Sequence, residues 1–349
     1  MKDRTKETIK DGFGSLINNS AALRGAKNGP LWLTIIFFVL SLFLPVLPLF
    51  IANINTSGSS FLKSYSYGLE RYVTSIALDL ETREVKFGID ERHLLSVSEA
   101  GNPIDYTAYE NAAFASYTNE VTGQYEFMLY VSDKETNKDK TAFNKAITLN
   151  YYNEGTTTLN PEETKTGVYR PSYMILFKDS VHVVINKGVK TVTTSLGGDY
   201  KTLKATENYL TVLLDVKDKE GNAVAKSLTN DEYTDGVYKN YKKFLDKSYD
   251  TLKIKNTFAT SGIYLGIFFG VSVLMGFLMW VLTRGKKNPN NYFTPWLTMK
   301  IEARLSLAPA LITLVAGFFL TNYAPIIFIM TLGLRVMWIS MKELRPIQQ

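Results

Sequence analysis

Four apolar stretches, near residues 31–52, 258–283, 305–321 and 324–341, limit what this chain can fold into. The first runs from Leu31 to Ala52 without a charge, enough to cross a hydrocarbon layer of roughly 30 Å at about 1.5 Å per residue. Together they predict an α-helical membrane protein with four transmembrane helices. Residues 53–257, between the first two, form an inserted domain outside the bilayer. A cleaved signal peptide is the rival reading of 31–52. The run is too long for a typical signal core and no small-x-small site follows it, so an uncleaved signal anchor is expected.

Charge sets the expected orientation. Residues 1–30, 284–304 and the 342–349 tail, with Arg335 inside the last span, hold 14 basic and 5 acidic groups. Residues 53–257 hold 25 basic and 28 acidic groups, which completes the chain's 39 and 33. Basic loops stay in the cytoplasm. Both termini and the 284–304 loop are therefore expected on the cytoplasmic side of the membrane. The 53–257 domain and the uncharged link Thr321–Ala324 are expected outside. The net charge of +6 then reads as an insertion signal and a contact with the lipid bilayer. No basic patch with interleaved aromatics suggests nucleic acid.

The 349 residues contain no cysteine, which excludes disulfides, thiolate metal sites and cysteine nucleophiles. The two histidines, His93 and His182, make a weak zinc case. The run Asp133–Asp139 lacks the glycine and final glutamate of an EF-hand loop. The acidic pair Glu162-Glu163 sits in a Pro/Thr-rich loop and reads as solvated. There is no G-x-x-x-x-G-K-[ST] loop and no G-x-S-x-G elbow. Neither a catalytic residue, a cofactor site nor a metal site is assigned, and a non-enzyme is expected. Within the spans as delimited above there is no Asp, Glu or His, which argues against an ion-coupled carrier.

Two aromatic stripes flank the external domain. Phe61, Tyr65, Leu69, Tyr72, Val73, Ile76 and Leu80 form the first; Tyr233, Val237, Tyr241, Phe244, Leu245, Tyr249 and Leu252 form the second. Both have helical spacing. Tyr65, Tyr72, Tyr233 and Tyr241 either join the external core or pair across two membrane-proximal helices as a stalk. Between them, period-two runs over 83–90, 124–131, 172–178, 180–187 and 189–195 predict strands. Lys178-Asp179 and Lys187-Gly188 suit tight turns. The external domain is thus α+β with an antiparallel sheet in its second half. The segment 206–215 is open between helix and strand. Ile9, Phe13, Leu16 and Ile17 suggest a helix on the inner membrane surface, against a frayed tail.

Within the membrane part, Gly262, Gly266 and Gly270 recur every fourth residue, and Ser272 with Gly276 repeats the spacing. Such a ridge permits close helix approach, in a compact bundle of the last three spans or with a partner subunit. Ala308, Ala316 and Gly317 add small residues in the third span. Pro45 and Pro48 predict a kink or early unwinding in the first. Arg335 lies seven residues, about 10 Å of rise, before Lys342. It is expected to snorkel to the inner headgroups as an interfacial charge, the alternative being a buried pairing.

The order of one span, an external domain, then three spans resembles a family of four-span membrane proteins from low-GC Gram-positive bacteria. Some of its members are labelled maltodextrin-utilisation proteins. The run Pro171–Asp179 followed by Val181–Val184, the helix feeding span two and the Arg-bearing last span carry the likeness. The resemblance implies an accessory role near sugar uptake and no catalytic residues. A permease-like subunit of a mechanotransmitting ABC transporter and a membrane-bound enzyme with an external site are the alternatives. A membrane-protein partner, such as an ABC transporter, or a second copy of the chain is expected.

Overall fold

The structure, a computed structural model, describes residues 14–64, 68–110, 112–121, 123–158, 171–187, 190–203, 209–285 and 288–344. Tyr65, Ile9, Phe13, Gly188 and Glu162-Glu163 lie outside those residues. The chain divides into two units: residues 1–55 with 255–349, and residues 56–254.

The first unit holds the apolar helices. Helix α1 (Asn19–Asn28) opens where the Asn18 side chain accepts from the Ser20 N–H at 2.9 Å, satisfying one orphan donor of the first turn. The next two helices are α2 (Leu31–Phe43) and α3 (Leu47–Ile54). A three-residue 3-10 turn, Leu44–Val46, joins them. Pro45 and Pro48 fall at that turn and at the start of α3, where missing donors are tolerated. The pair forms one candidate span, Leu31–Ile54, and three more follow: Asp231–Leu282, Pro295–Phe319 and Thr321–Lys342. All four are long and apolar enough to cross a membrane. Their outward side chains, among them Trp32, Ile36, Phe269, Phe319 and Met330, are the kind a hydrocarbon solvent covers.

The third span starts ten residues earlier than its hydropathy suggests. Thr294 accepts from the Leu297 N–H at 3.2 Å and Pro295 takes the first helical position. These start helix α8 (Pro295–Leu305), and α9 (Leu307–Phe319) follows. Helix α10 (Ala324–Lys342) completes the tight hairpin expected from the short 321–324 link. Gly317 explains one close approach: a Cβ there would sit 2.9 Å from Cγ of Pro48.

The second unit is built around a sheet. Helix α4 (Leu69–Thr82) precedes strands β1 (Lys86–Ile89), β2 (Leu95–Glu99) and β3 (Asn102–Pro103), an antiparallel three-stranded sheet. The main sheet is ordered β4 (Ala115–Thr118), β5 (Tyr125–Ser132), β6 (Ser172–Phe177), β7 (Ser180–Lys187) and β8 (Lys190–Asp199). It is antiparallel except between β5 and β6, which run parallel. Parallel neighbours need a crossover, and helix α5 (Asn137–Thr158) lies in that connection. Its weak amphipathic pattern concealed it in the sequence.

The pleat then sorts the core. Phe127, Leu129 and Val131 face one cluster with Leu176, Val183 and α4. Met128, Tyr130, Tyr173 and Ile175 face another with Phe143 and Ile147 of α5. Covering both faces makes β5 and β6 almost continuously apolar rather than alternating. The undecided 206–215 segment contains a short helix, α6 (Tyr209–Leu214).

The stripe segments differ from a pair of matching stalk helices. The first is broken: a 3-10 turn over Gly58–Ser64 precedes α4, and Gly68 stands before it at φ 78°. The second lies in one helix, α7 (Asp231–Leu282), which begins in the second unit and ends in the first. Leu69, Val73, Ile76 and Leu80 from one stripe, and Tyr233, Val237, Tyr241 and Leu245 from the other, are buried in the same core with the sheet. Each such side chain contributes about 1.5–3 kcal/mol on burial. Tyr72 stacks on Tyr117 with centroids 4.7 Å apart. The hydroxyl of Tyr241 reaches Met174 Sδ at 3.6 Å, and that of Tyr233 reaches the Leu214 carbonyl at 3.5 Å. The described stripe residues, Leu252 apart, thus lie in or against the core of the second unit.

Candidate functional site: buried charge in the helical unit

Ionisable groups in the second unit are arranged as a solvated domain would have them. Asp90 accepts from the Leu94 and Arg92 N–H groups, which hold its carboxyl below the usual range. Arg83 binds Glu99 at 2.8 Å and the Phe114 carbonyl at 2.8 Å. Lys178 meets Glu135 at 2.7 Å. His182 stands on β7, where burial lowers its pKa, and His93 sits in the β1–β2 turn at φ 60°. Tyr200 donates to the Phe177 or Ser180 carbonyl, each 2.9 Å away. Among the described residues, no group of three or more His, Asp or Glu is placed to hold a metal ion. A void of about 60 Å³ lies within the core between Ile76, Phe127, Met174 and Tyr241, with almost purely apolar walls.

The first unit is different, because charge is inside it. Arg335 projects from α10 and donates to three oxygens: the Leu305 carbonyl at 2.8 Å, Asn19 Oδ1 at 3.1 Å and the Ser15 carbonyl. The interfacial reading of this residue thus gives way to a bonded one. The guanidinium joins α10 to the α8–α9 junction, to the first residue of α1 and to the segment before it. That segment is accordingly anchored from residue 15 onward, with Ser15, Ala21, Ala22 and Ala26 buried, although Ile17 remains exposed. Serine, alanine and glycine on α1 let it lie close to α8.

Arg335 is partly buried; Arg304 is fully so, with 0 % of its surface exposed. Its Nε donates to Thr34 Oγ1 at 3.3 Å, and its guanidinium lies 5.6 Å from the Phe37 ring centroid. A Cβ at Gly25 or Gly29 would collide with that guanidinium. The two glycines therefore act as a cradle for Arg304.

Glu302, one turn back on α8, is 1 % exposed. The Ser272 hydroxyl of α7 is the donor beside its carboxyl. The expectation that no acidic side chain lies in a span fails here, since the candidate span Pro295–Phe319 includes Lys300, Glu302 and Arg304. Those residues lay in the segment read as a basic loop, so their helical periodicity went unused. Glu302 lines a groove of about 210 Å³ between α2, α7 and α8.

The glycine ridge behaves unevenly. A Cβ at Gly276 would lie 2.5 Å from Met299 Sδ, so this position does allow α7 and α8 to approach closely. At Gly262, Gly266 and Gly270 a Cβ would meet nothing within 4 Å. The α7 contact with α10 runs instead through larger side chains, with the Phe268 and Phe328 ring centroids 4.8 Å apart.

Comparison with known proteins adds no relative: no protein-family model, curated protein or solved structure matches the chain.

Proposed function

We propose that this protein is a non-catalytic integral membrane protein that presents residues 53–257 outside a bacterial plasma membrane as a binding domain. In this reading it works as an accessory or sensor beside a membrane partner, a sugar-importing ABC transporter being the partner the family resemblance implies. One observation carries the reading. A sheet-built unit with its charge pairs at the surface is inserted between the first and second of four apolar helices, and the other unit buries Glu302 and Arg304. The basic excess of the segments beside the helices supports both termini being inside.

The absence of natural cysteine makes the test clean. Val121→Cys lies on the sheet unit at 94 % exposure, and Tyr292→Cys lies in the link before α8 at 60 %. A membrane-impermeant maleimide applied to intact protoplasts is expected to label the first and to reach the second only after permeabilisation. The reverse pattern would overturn the orientation. Purification of the full chain in mild detergent, with mass spectrometry of what accompanies it, tests for the partner.

The permease-like reading draws less support. Such a subunit needs a cytoplasmic element to dock an ATPase. Residues 295–305 belong to α8. In the remaining link, Asn288 bonds the Leu344 carbonyl at 2.8 Å and Asn290 the Glu343 carbonyl at 3.1 Å. Lys27 Nζ caps the same link at the Tyr292 hydroxyl, 2.8 Å away. These bonds tie the link to the helix ends.

A further inference from the structure

The helical unit gathers its indole rings and free cations at one end. Hydrogen bonds define that end. Asn288 and Asn290 of the link before α8 reach the Leu344 and Glu343 carbonyls just past α10, and Lys27 of α1 reaches Tyr292 in the same link. All four tryptophans of the chain stand there. Trp32 and Trp296 are the second residues of α2 and α8, and Trp280 and Trp338 fall within the last turns of α7 and α10. Three of them have a cation over the ring. The Arg284 guanidinium lies 4.6 Å from the Trp280 centroid, Lys342 Nζ 4.6 Å from that of Trp338 and Lys300 Nζ 5.9 Å from that of Trp296. Lys27 Nζ lies 4.8 Å from the Phe293 centroid.

A ring face holds a cation in place but does not cancel its charge. Among the described residues every ion pair lies in the second unit, so none of these four cations has a carboxylate partner. Glu343, the exposed acid at this end, accepts instead from the Ser20 hydroxyl at 2.8 Å.

We infer that this end of the helical unit is a binding surface for anionic phospholipids, with Lys27, Arg284, Lys300 and Lys342 meeting their phosphates. Charge complementarity selects the occupant. Four cations without carboxylates suit a lipid that brings net negative charge, whereas a zwitterionic lipid also brings an ammonium that they repel. The rings select a lipid over a free anion or an acidic peptide. Trp296 and Trp338 are 60 % and 53 % exposed at the ends of apolar helices, where an indole sits between hydrocarbon and water. Clustered Lys and Arg beside such helices are the pattern that anionic headgroups bind. With every tryptophan at one end, the preference belongs to one leaflet. The inference rests on the membrane part of the reading above and is independent of the proposed partner.

The test uses the full chain in nanodiscs of phosphatidylglycerol and phosphatidylcholine in equal parts, with brominated acyl chains on one lipid or the other. Bromine quenches tryptophan at contact, and all four tryptophans report from this end. Quenching is expected to show the glycerol lipid enriched about fivefold around the rings, the effect of one cation near an anionic surface. Lys300→Gln combined with Lys342→Gln is expected to bring the two lipids near parity. Lys255→Gln removes the same kind of charge from α7 about 38 Å before Trp280 and is expected to leave the enrichment unchanged. Equal quenching by the two lipids in the wild-type chain would overturn the surface, as would full enrichment in the double variant or an equal loss in K255Q. Should the double variant fail to assemble, a salt series on the wild-type chain decides. Enrichment that falls between about 0.05 and 0.5 M salt supports the surface, and a flat series sinks it. Quenching by neither lipid would take the helices out of the bilayer and overturn the membrane reading as well.

Discussion

The two units handle charge in opposite ways. In residues 56–254, Lys226 pairs with Glu81 at 2.5 Å with side chains 50 % and 43 % exposed, and the core itself is Phe, Val, Leu, Ile, Ala and Tyr. Such surface pairs are worth about 0–1 kcal/mol. In the helical unit the largest fully buried side chain is Arg304, and Arg335 is bonded to backbone. In a hydrocarbon solvent apolar side chains gain little by packing together, so polar bonds and close approach hold helices together. A solvated unit stores its stability in apolar burial; a unit solvated by lipid stores more of it in a few buried polar contacts.

The largest effect that could break this contrast is in the sheet unit. Phe127→Ala removes a side chain that is 2 % exposed in the main core and is expected to cost about 3–5 kcal/mol. Hydrogen exchange of the full chain would show faster exchange throughout β5–β7. Slow exchange retained there would mean that the core does not carry that unit.

Next is Arg335→Leu, which keeps an apolar side chain on α10 but strands the Leu305 and Ser15 carbonyls. A loss of about 3 kcal/mol is expected, from charge-assisted bonds worth about 1.5–3 kcal/mol each. Exchange around residues 14–28 should rise with it. A leucine variant as stable as the parent would show that the helical unit, too, is held by apolar packing alone.

The smallest effect concerns pH and belongs to the solvated unit. Asp90 has its pKa lowered by N–H donors from Leu94 and Arg92. A carboxyl lowered by folding contributes stability that is present above its unfolded value near 3.9 and is lost as pH falls through the folded value. The turn 90–94 is therefore expected to loosen below about pH 4, and Asp90→Asn to remove that dependence. Amide exchange of Leu94 across the acid range reads it. An unchanged acid response in D90N would show that the turn is held by its backbone alone.

Much of the fold was legible because it is written in local periods. Strand β7 occupies the residues that its alternation marks, and β6 and α7 follow from a period-two run and an aromatic stripe. Helix α5 was not legible, since it lacks a clear apolar face. Strand β4 has only four residues, too few for alternation to show. The start of α8 was hidden for another reason: Lys300, Glu302 and Arg304 look like loop residues until a partner buries them.

The sequence by itself determined the four apolar helices, the polar insert between the first two and the strand pattern within it. Hydrophobic length and period are properties of consecutive residues, so they need no distant neighbour to be read. Only the tertiary structure decided which charges go inside. Arg335 finds its acceptors at Ser15 and Asn19, more than 300 residues away, and Arg304 is seated on Gly25 and Gly29. It also decided that Gly276 packs while Gly262, Gly266 and Gly270 stay open, because a small residue creates a space but another helix must arrive to fill it.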